Sequence, residues 1–218
     1  MGGPRGNRRD DLTKFENAMR ELPLIAILRG LKPTEALEIG VVLVEAGFRL
    51  IEVPLNSPQP LDSIAVLRTQ FPQALVGAGT VLKAEEVRAV AAAGGELIVA
   101  PNFNREVVAE TVKLGLVSMP GILTPTEAFA ALDAGAHGLK LFPSEIASPA
   151  VVKALLAVLP KGTPIVPVGG IGADNMKAWR DAGAAGFGLG SSLYKPGDDA
   201  ATVAQKAAAI VAAWKALT

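Results

Sequence analysis

The 218-residue chain has no cysteine and a single histidine, His137. Without a thiol there is no disulfide, no thiolate nucleophile and no cysteine-based metal site. One imidazole cannot build a multi-histidine metal site, and it leaves little room for serine–histidine chemistry. Charge of one sign is missing as well, since 21 Lys+Arg balance 21 Asp+Glu. That argues against a nucleic-acid surface and against an acidic docking tail. The apolar stretches are broken by Gly, Pro or charge well short of the ~20 residues that span a bilayer. Residues 1–9, MGGPRGNRR, have no apolar core of a secretory signal and read as a disordered extension. Together these absences point to a cytoplasmic protein with no nucleic-acid or membrane partner and no recognisable metal site. A zero net charge also suits a chain that buries a subunit interface.

What the chain does have is apolar bulk, with 50% hydrophobic and 19% charged residues. Short apolar runs recur to the end: Leu24–Leu28, Leu50–Leu55, Leu75–Ala78, Leu97–Ala100, Val117–Met119, Gly138–Phe142, Pro164–Val168 and Gly186–Leu189. None alternates cleanly with polar residues, which marks strands buried on both faces. Each is followed by a turn and a segment of helical period, such as Pro33–Ala46, Ala84–Ala93, Thr124–Ala134 and Ala173–Ala182. Several helices end in Ala-Gly or Leu-Gly pairs, at Gly47, Gly94, Gly115, Gly135 and Gly183, which suit the left-handed position after a helix. Thr124-Pro125-Thr126-Glu127 carries the signals of a helix start. Alternating strands and helices imply a parallel α/β sheet, and eight units favour closure into a (β/α)8 TIM barrel. The expected layout is a single barrel domain over 10–218, with an extra N-terminal helix over Asp10–Glu21 capping the barrel bottom. An open doubly wound sheet is the alternative. It usually carries a glycine fingerprint after its first strand, and Arg29-Gly30-Leu31-Lys32 is not one.

Barrel chemistry sits at the carboxyl ends of the strands. Lys140 lies inside the sixth run, GLKLFP, whereas the other lysines fall in helices, turns or tails. A buried ammonium must be paired or must lose its charge, and a neutral lysine amine is what Schiff-base formation requires. A structural ion pair is the competing reading. Glu52, inside LIEVPL of the second run, is the matching acid. Burial would raise its pKa and fit it to shuttle protons, while a structural partnership with Lys140 or Arg29 is the plainer reading. Arg29 ends the first strand and is suited to holding a carboxylate, or is a rim charge. Thr80 ends the third strand and could hold a substrate oxygen or cap the next helix. The ends of the seventh and eighth strands, VGGIG and GLGSS, place Gly169, Gly170, Gly190 and Ser191 where barrels often bind phosphate. His137, at the opposite end, reads as structural.

Taken in order, PLIAILRG, AGFRLIEVPLNSP, VGAGTVL, LIVAPN, MPG, TPTEA, LKLFPS, VGGI and LGS resemble the aldolases of 2-keto-3-deoxy-6-phosphogluconate and its galactonate epimer, from about Leu22 to Thr218. The resemblance implies a metal-independent class I aldolase that needs no cofactor and acts on a small molecule, a phosphorylated keto-deoxy sugar acid. It assigns Lys140 to the imine, Glu52 to proton transfer, Arg29 and Thr80 to the keto-acid end, and Gly169, Gly170, Gly190 and Ser191 to the phosphate. It also implies a homotrimer and a place in galactonate degradation. Pro54-Leu55-Asn56-Ser57-Pro58 looks like the galactonate branch, and Val168 stands where gluconate-type enzymes commonly have threonine, which makes Val168 the specificity position. The gluconate epimer, or both epimers, is the alternative substrate. A phosphosugar isomerase or epimerase on the same barrel, or a non-catalytic phosphosugar-binding barrel, would need no buried lysine in the sixth strand.

Overall fold

A computed structural model of the chain describes residues 8–217. The expected disordered extension over 1–9 lies largely outside the described residues. The helix expected at Asp10 already includes Arg8 and Arg9, running Arg8–Glu21 (α1).

The order of elements after α1 is β1 (Leu24–Ile27), α2 (Pro33–Glu45), β2 (Leu50–Pro54), α3 (Pro60–Gln70), β3 (Leu75–Gly79), α4 (Ala84–Ala92), β4 (Leu97–Val99) and α5 (Arg105–Lys113). There follow β5 (Val117–Met119), β6 (Gly121–Ile122), α6 (Pro125–Asp133), β7 (Leu139–Leu141), α7 (Pro149–Leu156), β8 (Ile165–Pro167), α8 (Met176–Asp181), β9 (Phe187–Leu189) and α9 (Ala200–Lys215). The fifth apolar run gives β5, and a further short strand, β6, follows it beyond Pro120, which has no N–H to donate and interrupts the ladder. Lys140 therefore lies on β7.

The strands pair in parallel as β5-β4-β3-β2-β1-β9 and β6-β7-β8. β5 and β6 are separated by one residue, and an isolated parallel bridge joins Val168, just past β8, to Gly188 on β9. The result is a parallel α/β sheet curled about an apolar interior, with every described strand residue buried.

Two apolar layers follow from burial on both faces. Outward-facing strand residues such as Leu24, Ile51 and Val76 pack with the helices around the sheet. Inward-facing residues such as Ile25, Leu50, Leu75, Leu97 and Val166 form a second cluster, closed at the amino-terminal end by Phe15 and Ala18 of α1. Glu96 fastens the same helix from below, accepting from Lys14 Nζ at 3.0 Å and Arg68 Nη2 at 2.6 Å. The five glycines after helices all take positive φ. Thr124 and Glu127 form the reciprocal cap at the start of α6, with Thr124 N–H donating to Glu127 Oε2 at 2.8 Å. The helix expected over Ala173–Ala182 starts only at Met176. Asn175 is turned back onto the preceding loop instead, its Oδ1 accepting from Gly172 N–H at 3.0 Å and its Nδ2 donating to the Gly170 carbonyl at 2.7 Å. No helix among the described residues is long and apolar enough to cross a membrane.

Candidate functional site

Two ionisable groups sit inside the sheet. Lys140 on β7 is 5% exposed and Glu52 on β2 is 2% exposed. Register pairs Lys140 with Gly121 and Val166, and Glu52 with Ile27 and Gly77, so both side chains leave strands that are apolar on either side.

Burial is the largest influence on each pKa. Desolvation lowers Lys140, with Glu52 pulling the other way and Arg29 adding to the decrease. Desolvation raises Glu52 to about 7, against the opposing pull of Lys140 and Arg29. The amine lies 4.7 Å from the centroid of the Phe142 ring. Glu52 Oε2 is buried without a hydrogen-bond partner among the described residues. An unpartnered carboxylate oxygen is costly when charged, which is why the protonated form persists to neutral pH.

Gly79, at the end of β3, makes room for that carboxyl. A Cβ there would come within 1.8 Å of Glu52 Oε2. Thr80 follows directly, with a positive φ of 58°.

A cavity of about 290 Å³ opens at the carboxyl ends of β1, β7, β8 and β9. Of the residues singled out in the sequence it brings together Lys140, Arg29, Val168, Gly169, Gly170, Gly190 and Ser191. Glu52 and Thr80 are not on its wall, and Glu52 acts on the amine through its charge from within the sheet. Arg29 Nη1 donates to Asn56 Oδ1 at 2.7 Å, and Gly30 N–H donates to Ser57 Oγ at 2.9 Å. The LNSP segment thus braces the arginine. His137 lies elsewhere: its Nδ1 accepts from Ser118 N–H at 3.0 Å, and burial lowers its pKa, as a structural histidine requires.

The wall also includes Glu145, Ser192, Tyr194 and Lys195, which the sequence reading passed over. Ser192 Oγ is buried and unpartnered. The amides of Gly170, Ser191 and Ser192 donate to no protein acceptor among the described residues. With the Lys195 side chain nearby, this end of the cavity offers N–H and hydroxyl donors to an anion. The signal for Ser192 and Lys195 was their place just after the eighth apolar run. Glu145 gave no signal, since its carboxylate meets Gly169 and Gly170 only through folding. Among the described residues no group of three His, Cys, Asp or Glu side chains converges as a metal site.

A buried amine of lowered pKa and a carboxyl that keeps its proton to neutral pH fit the chemistry of an imine-forming enzyme on a parallel α/β fold. The sequence profile of the KDPG and KHG aldolase family matches residues 15–207. The chain is 50% identical over 196 residues to the 2-dehydro-3-deoxy-6-phosphogalactonate aldolase of Escherichia coli (strain K12), covering 89% of this chain and 96% of the relative. It is 48% identical to the probable 2-dehydro-3-deoxy-6-phosphogalactonate aldolase of Rhizobium meliloti (strain 1021), covering 90% and 93%. A solved structure described as native KDPGal superposes with a TM-score of 0.89 at 49% identity, covering 90% of this chain and 96% of that one. The chain belongs to the KDPG and KHG aldolase family, and it is a class I aldolase, a lyase.

Proposed function

We propose that this aldolase cleaves 2-dehydro-3-deoxy-6-phosphogalactonate to pyruvate and D-glyceraldehyde 3-phosphate through an imine on Lys140. The observation that carries the reading is the buried Lys140 amine with its lowered pKa, on the wall of a cavity that also presents amides with no protein acceptor among the described residues.

The neutral amine attacks C2 of the substrate to give a carbinolamine. Glu52 supplies the proton that lets hydroxide leave as water, and a protonated imine forms. Glu52, directly or through a water, then takes the C4 hydroxyl proton. The C3–C4 bond breaks, its electron pair flows into the imine, and the aldehyde departs with the phosphate. Protonation of the enamine at C3 and hydrolysis release pyruvate and restore the amine. The imine cation is the electron sink, so no step needs a metal. Arg29 holds the C1 carboxylate and Thr80 a keto-acid oxygen. Gly169, Gly170, Gly190 and Ser191 hold the phosphate, with Ser192 and Lys195 beside them. Fixing both ends of a flexible substrate contributes several kcal/mol to lowering the barrier.

The galactonate epimer is favoured by the names of the two relatives, by the LNSP segment and by Val168, which lines the cavity next to Gly169. An aliphatic side chain there offers the sugar hydroxyls no hydrogen bond. The two sheets close into a (β/α)8 barrel, a reading supported by the Val168–Gly188 bridge and by the single residue between β5 and β6. The chain forms one barrel domain from residue 10 onward, with α1 as its floor, and works as a cytoplasmic homotrimer in galactonate breakdown. Zero net charge and exposed apolar side chains such as Phe129 and Leu82 support the assembly.

Borohydride added with pyruvate leaves a reduced adduct on Lys140, read by peptide mass spectrometry. Pyruvate release measured with both C4 epimers favours the galactonate form, and Val168→Thr narrows that preference. An active enzyme with no adduct rejects the imine. A preference for the gluconate form rejects the substrate assignment.

A further inference from the structure

The strand that carries Lys140 is tied to the glycine loop after β8 by one side chain, Ser144, on the short turn Ser144–Ile146. Ser144 is 3% exposed. Its Oγ donates to the Gly169 carbonyl oxygen at 2.5 Å, and its backbone N–H donates to the Val168 carbonyl oxygen at 3.0 Å. Its side chain is not on the cavity wall. We infer that Ser144 is a positioning residue for phosphate recognition, fixing the orientation of the Gly169–Gly170 peptide so that the Gly170 N–H faces the substrate anion. The inference rests on the function proposed above and adds how the anion end is held ready.

The argument follows from peptide planarity. In a trans peptide the carbonyl and the next N–H point in opposite directions. Ser144 draws the Gly169 carbonyl towards the Lys140 strand, so the Gly170 N–H points the other way. That N–H has no protein acceptor among the described residues, and Gly170 lines the cavity. Asn175 treats the next peptide alike. Its Nδ2 takes the Gly170 carbonyl at 2.7 Å, which turns the Ile171 N–H away from it. Gly169 and Gly170 have φ of 108° and 65°. A pair of glycines has no side chain of its own to resist rotation of the plane between them, so the Ser144 hydrogen bond fixes that plane, with the Glu145 side chain packed against both glycines. Were it to turn over, a carbonyl oxygen would face the phosphate where a donor is needed. Because the holding group stands four residues after Lys140, it also sets the anion loop against the imine-forming amine.

Ser144→Ala tests this without touching a residue that meets substrate. Three quantities separate positioning from a general structural role: cleavage kinetics, inhibition by inorganic phosphate, and exchange of the pyruvate methyl hydrogens with deuterium in heavy water. The exchange needs the imine and Glu52 but no phosphate. The expected result is a 5- to 20-fold rise in KM and in the phosphate inhibition constant, about what loss of one buried hydrogen bond produces. The exchange rate, which needs no phosphate, stays within twofold. Equal losses of cleavage and exchange, or no change in phosphate inhibition, overturn the inference. A parent enzyme that exchanges no deuterium rejects instead the imine chemistry on which the inference rests.

Discussion

Glu52 and Lys140 share one low-dielectric interior, and their titrations belong to the pair. With one proton between them, the pair can present a neutral amine with a carboxylic acid, which is the state that begins imine formation. A second proton makes the amine cationic, and its loss leaves a carboxylate that cannot assist departure of hydroxide. A bell-shaped kcat/KM profile is expected, its acid limb set by protonation of the amine and its alkaline limb by release of the Glu52 proton near pH 7, measured by a coupled pyruvate assay across pH 5–10. The same burial has a stability consequence. The folded-state pKa of Glu52 is raised from 4.5 to about 7, so between those values the folded protein keeps a proton that the unfolded chain has released, and stability falls as pH rises through that window. Glu52→Gln removes this loss. At pH 8 it should stabilise the fold by about 3 kcal/mol at most while abolishing cleavage, as read by urea unfolding and the same assay. A variant no more stable at pH 8 than the parent would mean that Glu52 is better solvated than its burial indicates. Gly79 gives a second expectation at this scale. A methyl group placed 1.8 Å from Glu52 Oε2 must displace the carboxyl. Gly79→Ala is expected to lower kcat about 100-fold, in line with loss of a positioned acid–base group, while the far ultraviolet circular dichroism stays that of the parent.

Among the elements, α1 has the most separable role. Its Phe15 and Ala18 cover the amino-terminal end of the interior cluster, at the opposite end of the sheet from the cavity. Phe15→Ala opens a void beneath the inward-facing side chains and should cost about 3 kcal/mol, lowering Tm by roughly 5–10 °C. Because the void lies away from Lys140, kcat/KM at 25 °C should remain within twofold. A large kinetic effect would mean that the interior transmits the change to the site. β7 and the loop after β8 form the opposite case, since there the elements are joined next to the cavity, through Ser144 and the Gly169 carbonyl. The glycines of VGGIG suit close approach by an anion and leave the loop's orientation to Ser144 and Asn175.

In the proposed complex, recognition is shared among loops that line one cavity. Arg29 follows β1 and is braced by Asn56 after β2, while the anion end belongs to the loops after β8 and β9. In that complex the substrate's phosphate is remote from the C3–C4 bond that breaks. Binding energy from such a remote group serves to orient the reacting end, so a substrate without phosphate should lose turnover as well as affinity. For 2-dehydro-3-deoxygalactonate, kcat/KM should fall at least 100-fold below the phosphorylated form, measured by pyruvate release. A loss confined to KM would assign the phosphate loops to affinity alone.

The sequence by itself determined the alternating parallel α/β fold, the helix stops at Gly47, Gly94, Gly115, Gly135 and Gly183, and the two ionisable residues embedded in apolar strands. Those features are local: periodicity, turn chemistry and a charge among greasy neighbours can each be read within a few residues. Only the tertiary structure decided that Glu52 lies off the cavity wall against Gly79, and that a further short strand follows β5 beyond Pro120. It alone brought Ser192, Lys195 and Glu145 to the anion end and set the Ser144 hydroxyl on the Gly169 carbonyl. These depend on contacts between residues far apart in the chain, such as 25 positions for Ser144 and Gly169. No periodicity encodes such a meeting, because it exists only once the strands have taken their register.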